Sequence, residues 1–146
     1  MAKMLYTAGA HVSGGRRGGH GETATGSVEV DLRMPPELGG EGGGTNPEEL
    51  FAMGYAACFE SALTTVARRM KVETGETSVD SRVSLMTGGG RSFGLGVELD
   101  VQVPGLQADA GQAVELVRAA HAVCPYSNAT RGNIDVALTA NGHAVD

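Results

Sequence analysis

Two cysteines, Cys58 and Cys124, are the residues of this 146-residue chain best suited to chemistry. A thiolate is both a nucleophile and a metal ligand, and a second thiol can close a disulfide on it. Their 66-position separation, with no Cys-x-x-Cys pair, argues against zinc. In a reducing compartment two cysteines in a small domain point to catalysis or redox chemistry ahead of a structural bridge. Residue type alone also allows a bland role for each. Cys58 falls well inside an apolar helix, beyond the first turn where the helix dipole acts. Burial there without a cation raises a thiol above its ordinary value of about 8.5 and leaves it inert. Cys124 immediately precedes Pro125, where a helix gives way to a turn, a position that suits a resolving thiol. Four histidines, His11, His20, His121 and His143, share no metal-ligand spacing and read as surface or satisfied core residues. Tyr6, Tyr55 and Tyr126 read as packing, and no Gly-x-Ser-x-Gly elbow is present.

The elements that must position these residues follow from pattern. Leu5 to Val12 and Ser27 to Leu32 read as strands, separated by the loop from Ser13 to Gly21, too rich in glycine for a helix. Pro35-Pro36 and the glycine run from Gly39 to Gly44 make a second loop. That run is no phosphate cradle, because neither a leading strand nor a Gly-Lys-Ser/Thr accompanies it. Asn46-Pro47-Glu48-Glu49 is a helix start: Asn46 caps, Pro47 suits the first helical position and Glu49 stands where a capping-box acid reaches back. The helix is predicted to run to about Met70. Between Leu50 and Ala67 its only charge is Glu60, so protein should bury it on most sides. Ser78 to Met86 and Phe93 to Val103 are predicted strands of a long hairpin about Gly88-Gly89-Gly90, the second setting Leu95, Val97, Leu99, Val101 and Val103 on one face. Ala108 to Val123 reads as a helix with Ala113, Leu116, Val117 and Ala120 facing the core; Pro125 ends it, and Asn133 to Ala140 supplies a last strand.

The length fits one domain spanning residues 1–146. Eleven basic against seventeen acidic residues give a net charge of −6, and the scattered Lys and Arg offer no electrostatic footprint for nucleic acid. No signal-peptide pattern or uncharged span of membrane length stands out, so no membrane partner and a cytoplasmic location are expected. The Asn128-Ala129-Thr130 sequon carries no weight without a secretory signal.

The segment Gly44 to Phe59 (Gly-Thr-Asn-Pro-Glu-Glu-Leu-Phe-Ala-Met-Gly-Tyr-Ala-Ala-Cys-Phe) and the segment Ala120 to Ile134 (Ala-His-Ala-Val-Cys-Pro-Tyr-Ser-Asn-Ala-Thr-Arg-Gly-Asn-Ile) closely resemble the organic hydroperoxide resistance branch of the OsmC-like proteins. The resemblance extends to Leu5 to Ala8, Gly14 to Arg16, Glu37 to Gly40 and Phe93 to Leu99, so it covers nearly the whole chain. It implies an α+β fold in which antiparallel sheets wrap central helices in an intertwined homodimer, with both chains lining each active site. It also implies that Cys58 is the peroxidatic cysteine and Cys124 the resolving one, assisted by Arg16 and Glu48. Arg17 stands where the family commonly has an acidic residue, which leaves Arg16 and Arg17 as competing positions for the arginine, with Arg16 preferred. Glu49 stands where glutamine is frequent; either closes a capping box, so Glu48 is the better partner for the arginine.

What the resemblance implies is a thiol-dependent peroxidase acting on organic hydroperoxides, alkyl or fatty-acid. Cys58 would become a sulfenic acid and then a disulfide with Cys124. An external dithiol, dihydrolipoamide or a lipoylated protein, would recycle the disulfide, and no bound cofactor or metal is expected. The competing readings are a redox sensor or binding module on the same fold, and a structural dimer with two inert core thiols.

Overall fold

The structure, a computed structural model, describes residues 2–88 and 92–146. The chain divides into two compact units, Met1–Leu50 and Phe51–Asp146.

In the first unit, β1 (Ala10–Ser13), β2 (Gly19–Thr23) and β3 (Glu29–Leu32) form an antiparallel sheet in that order. Between β1 and β2 lies a four-residue helix, α1 (Gly15–Gly18), which carries Arg16 and Arg17. The sequence predicts a loop here and a first strand that begins at Leu5. Glycine makes the helical turn possible instead of preventing it. Gly14 and Gly15 adopt left-handed φ values of 78° and 66°, and a Cβ on Gly19 would lie 2.2 Å from the Gly15 carbonyl oxygen. β2 was not foreseen, because His20-Gly21-Glu22-Thr23 has neither apolar alternation nor β-branched density.

The long helix α2 (Pro47–Met70) opens as the sequence predicts. Asn46 Oδ1 accepts the Glu49 N–H at 2.9 Å, and Pro47 begins the helix. The capping box is not closed: Glu49 Oε1 instead accepts the Thr45 hydroxyl at 2.8 Å. By length and composition α2 would pass for a membrane span. Its Tyr55, Phe59, Leu63 and Val66 face is instead buried in the core of the second unit, while Met53 on another face is 66% exposed. Burial on most sides is therefore not met within this chain.

The second unit holds β4 (Ser78–Thr87), β5 (Phe93–Gln102), β6 (Val136–Ala140) and β7 (His143–Val145) in that order. β4 and β5 are the predicted hairpin; Gly89 and Gly90 of its predicted tip lie outside the described residues. Val97, Leu99, Val101 and Val103 are buried, as their alternation requires. β5 and β6 pair in parallel, so this sheet is mixed where antiparallel sheets were expected. Helix α3 (Ala110–Val123) is capped by Asp109, whose Oδ1 accepts the Gln112 N–H at 3.0 Å. Its Ala113, Leu116, Val117 and Ala120 are fully buried, as predicted. A further helix, α4 (Pro125–Thr130), follows at once. Pro125 is expected from sequence as a terminator, but proline also suits the first position of a new helix.

Candidate active site

Arg16 and Glu48 are brought together in the first unit. Arg16 Nη1 donates to Glu48 Oε2 and Nη2 to Oε1, each at 2.8 Å, the bidentate geometry that suits guanidinium and carboxylate best. Arg16 comes from α1 and Glu48 from the first turn of α2, so the pair pins a short glycine-flanked helix to a rigid one. Side-chain exposure is 30% for Arg16 and 14% for Glu48, which leaves the cation partly open to a ligand. The hydrogen bond to Arg16 holds the Glu48 carboxyl below its ordinary range, and the same bond raises Arg16. Both therefore stay charged at neutral pH. Arg17 is exposed, and it is Arg16 that pairs with Glu48.

The two cysteines meet in the second unit. Cys124 Sγ lies 3.6 Å from Cys58 Sγ, and both are free thiols. A disulfide would require a shortening of about 1.5 Å, since the S–S bond is about 2.05 Å. Cys124 is fully buried between α3 and α4, and Cys58 is half-buried on α2. Burial pushes the Cys58 thiol up; the Tyr126 backbone N–H, hydrogen-bonded to it, pulls it down, and the Cys124 thiol beside it pushes it up again. The upward influences win. Cys58 is thus a protonated thiol unless a cation is brought to it.

An aromatic wall stands beside this pair. Tyr126 stacks on Phe51 with ring centroids 5.9 Å apart and tilts against Tyr55 at 5.6 Å. Its ring crosses α2 at Gly54, where a Cβ would lie 3.2 Å from the Tyr126 hydroxyl. Behind the wall a polar cluster joins Tyr55, His121, Ser127 and Thr130. From sequence these tyrosines are expected to be packing and His121 a surface or satisfied core residue. Both descriptions hold, but the hydrogen bonds joining them were missed, and their only sequence signal is His121, Cys124 and Ser127 at successive spacings of three. Among the described residues no cluster of three or more His, Cys, Asp or Glu could hold a metal ion.

Comparison with known proteins identifies the family. The OsmC-like protein family model matches residues 40–139. The organic hydroperoxide resistance protein of Xanthomonas axonopodis pv. citri is 52% identical over 141 residues, covering 94% of this chain and 95% of the relative. The organic hydroperoxide resistance protein OhrB of Bacillus subtilis is 46% identical over 137 residues, covering 92% and 96% respectively. Among solved structures, an organic hydroperoxide resistance protein OsmC from Legionella pneumophila superposes with a TM-score of 0.88 at 53% identity, covering 94% of this chain and 98% of that one.

Proposed function

The chain belongs to the OsmC-like family, and from that premise we propose that it detoxifies organic hydroperoxides as a cysteine-based peroxidase. The observation that carries the reading is the meeting of the two sulfurs, 66 residues apart in sequence, at 3.6 Å. The names of its relatives, organic hydroperoxide resistance proteins, supply the substrate class.

Two half-reactions divide the chemistry. The Cys58 thiolate attacks the outer oxygen of the hydroperoxide; the O–O bond breaks, the alkoxide leaves and takes a proton as the alcohol, and Cys58 becomes a sulfenic acid. The Cys124 sulfur then attacks the Cys58 sulfur; the S–O bond breaks, water departs with the thiol proton, and a disulfide remains. An external dithiol of the lipoyl type returns both thiols by exchange and is itself closed to a cyclic disulfide. No step calls for a bound cofactor.

Arg16 has two tasks in this scheme. A guanidinium beside Cys58 favours thiolate over thiol, and it stabilises charge growing on the departing oxygen. Lowering the Cys58 pKa by one unit asks for about 1.4 kcal/mol, within what a partly desolvated ion contact supplies. Glu48 presents the guanidinium in one orientation. The resemblance supports a homodimer in which both chains surround each site, and a cytoplasmic location with neither nucleic acid nor membrane as partner. Tyr126, whose backbone N–H bonds Cys58 and whose ring stacks on Phe51, suits alkyl or fatty-acid hydroperoxides better than hydrogen peroxide.

The test is steady-state consumption of cumene hydroperoxide with dihydrolipoamide as reductant, for the natural protein, Cys58→Ser and Cys124→Ser. Turnover is expected in the natural protein and none in Cys58→Ser. A natural protein that oxidises once and does not turn over with dithiol supplied would identify a redox sensor instead.

A further inference from the structure

We propose that Ser127 is the positioning residue for disulfide formation: one buried hydroxyl, held between His121 and Tyr55, fixes the turn that presents the Cys124 sulfur to Cys58. The proposal rests on the peroxidase reading above and concerns its second half-reaction.

The need for such a device follows from the backbone. Helix α3 ends at Val123 and α4 begins at Pro125, so Cys124 alone forms the bend, with φ −64° and ψ 125°. Its N–H donates to the Ala120 carbonyl and its carbonyl accepts from the Asn128 N–H, each at 2.9 Å. With α3 fixed, rotation about φ of this one residue would swing α4 away and carry the sulfur with it. A resolving thiol at the junction of two helices therefore keeps its aim only if α4 is held from elsewhere.

Ser127 supplies that hold. Its side chain has no exposed surface, and its Oγ lies 2.8 Å from His121 Nδ1 and 2.8 Å from Tyr55 Oη. His121 is one turn before Cys124 on α3, and Tyr55 is one turn before Cys58 on α2. A single atom thus ties α4 to α2, which carries Cys58, and to α3, whose C-cap is Cys124. Tyr55 Oη also lies 3.2 Å from Thr130 Oγ1, and Thr130 Oγ1 donates to the Ser127 carbonyl at 3.2 Å.

Counting hydrogens gives this cluster a direction. The one hydroxyl hydrogen of Thr130 goes to the Ser127 carbonyl, so Tyr55 donates to Thr130. Ser127 then donates to Tyr55 and accepts from His121, which must carry its proton on Nδ1. Every hydroxyl hydrogen is used, and the histidine tautomer is fixed. Arg131 reinforces the bend by donating from Nη2 to the His121 carbonyl at 2.6 Å and from Nη1 to Asn128 Oδ1 at 2.7 Å. A buried hydroxyl that loses one of two such partners is left with an unsatisfied group, so the cluster stands or falls together.

The experiment adds one equivalent of cumene hydroperoxide and an excess of dimedone to reduced protein, and reads the Cys58 adduct against the disulfide by intact mass. Ser127→Ala and Tyr55→Phe should each raise the adduct-to-disulfide ratio about tenfold, as a barrier to closure higher by about 1.4 kcal/mol requires. Ser127→Thr, which keeps the hydroxyl, should restore most of the disulfide. In 15N spectra His121 should show the Nδ1–H tautomer in the natural protein and lose that preference in Ser127→Ala. An unchanged ratio in folded Ser127→Ala and Tyr55→Phe, even with a lowered melting temperature, overturns the proposal; if Ser127→Ala does not fold, Tyr55→Phe decides. Should the natural protein form neither product, the peroxidase reading falls, and diamide, which takes two hydrogens from a thiol pair, then reads closure alone. Slower closure in the variants keeps the positioning role, and equal closure ends it.

Discussion

At Cys58 the balance of influences is set against reactivity: desolvation and the neighbouring Cys124 outweigh the Tyr126 N–H. In the proposed mechanism the burden of activation therefore falls on Arg16. Arg16→Met should lower turnover by about 10²–10³-fold, the usual cost of losing one donor to developing negative charge. It should also move the alkylation profile of Cys58 to higher pH, because a thiolate without its cation forms only at higher pH; iodoacetamide kinetics from pH 5 to 10 read this directly. Glu48→Gln, which leaves the cation but frees its orientation, should cost less, about tenfold or 1.4 kcal/mol. Another residue titrates for a separate reason. His20 lies 3.0 Å from both Glu29 and Asp31, and the hydrogen bond to Asp31 raises its pKa above 6.5. A raised folded-state value stabilises the charged form, so this contribution is complete below pH 6.5 and is lost as pH climbs through the higher value. An NMR titration should give His20 a midpoint above 6.5 that falls back in Asp31→Asn.

The elements show what local pattern can and cannot reveal. Helix α2 was legible because Asn46-Pro47 starts it and an apolar run sustains it; Asn46→Ala should cost about 1 kcal/mol by removing the bond to the Glu49 N–H, measured by urea unfolding. The β4–β5 hairpin and the buried face of α3 were legible for the same reason, a period long enough to count. Helices α1 and α4 were not, since four and six residues give no period, and each opens on a residue, Gly15 or Pro125, that reads first as a breaker. The parallel pairing of β5 with β6 depends on a contact across 39 residues, as between Val97 and Val136, which no local signal encodes. The same limit governs the site. Residue type singled out the cysteines, but the pairs Arg16–Glu48 and Cys58–Cys124 were expected only through resemblance, and the Tyr55–Ser127–His121 chain was not expected at all. Because a Cβ on Gly19 would fall 2.2 Å from the Gly15 carbonyl, Gly19→Ala must displace the Arg16 turn. It should cost at least about tenfold in turnover and slow dimedone labelling in the Cys124→Ser background by a like factor, with Cys58 still the residue labelled.

Across the whole molecule, much apolar surface is left without cover. Leu5 and Tyr6 are 87% and 80% exposed, and the first sheet shows an apolar concavity of about 320 Å³ lined by Val12, Val28, Val30, Leu32 and Leu50. Contiguous exposed apolar residues mark an interaction surface, and the proposed homodimer would cover it. Sedimentation should give a dimer, and Leu5→Asp with Tyr6→Asp should weaken it together with activity. The measurement closest to the central claim is smaller in scope. One equivalent of cumene hydroperoxide is added to reduced protein, and intact mass and cumyl alcohol are read together. The account predicts one alcohol per chain and a loss of two hydrogens, with a Cys58–Cys124 bond in the peptide map. Alcohol formed without that bond, or no alcohol from a protein whose thiols are intact, would contradict it.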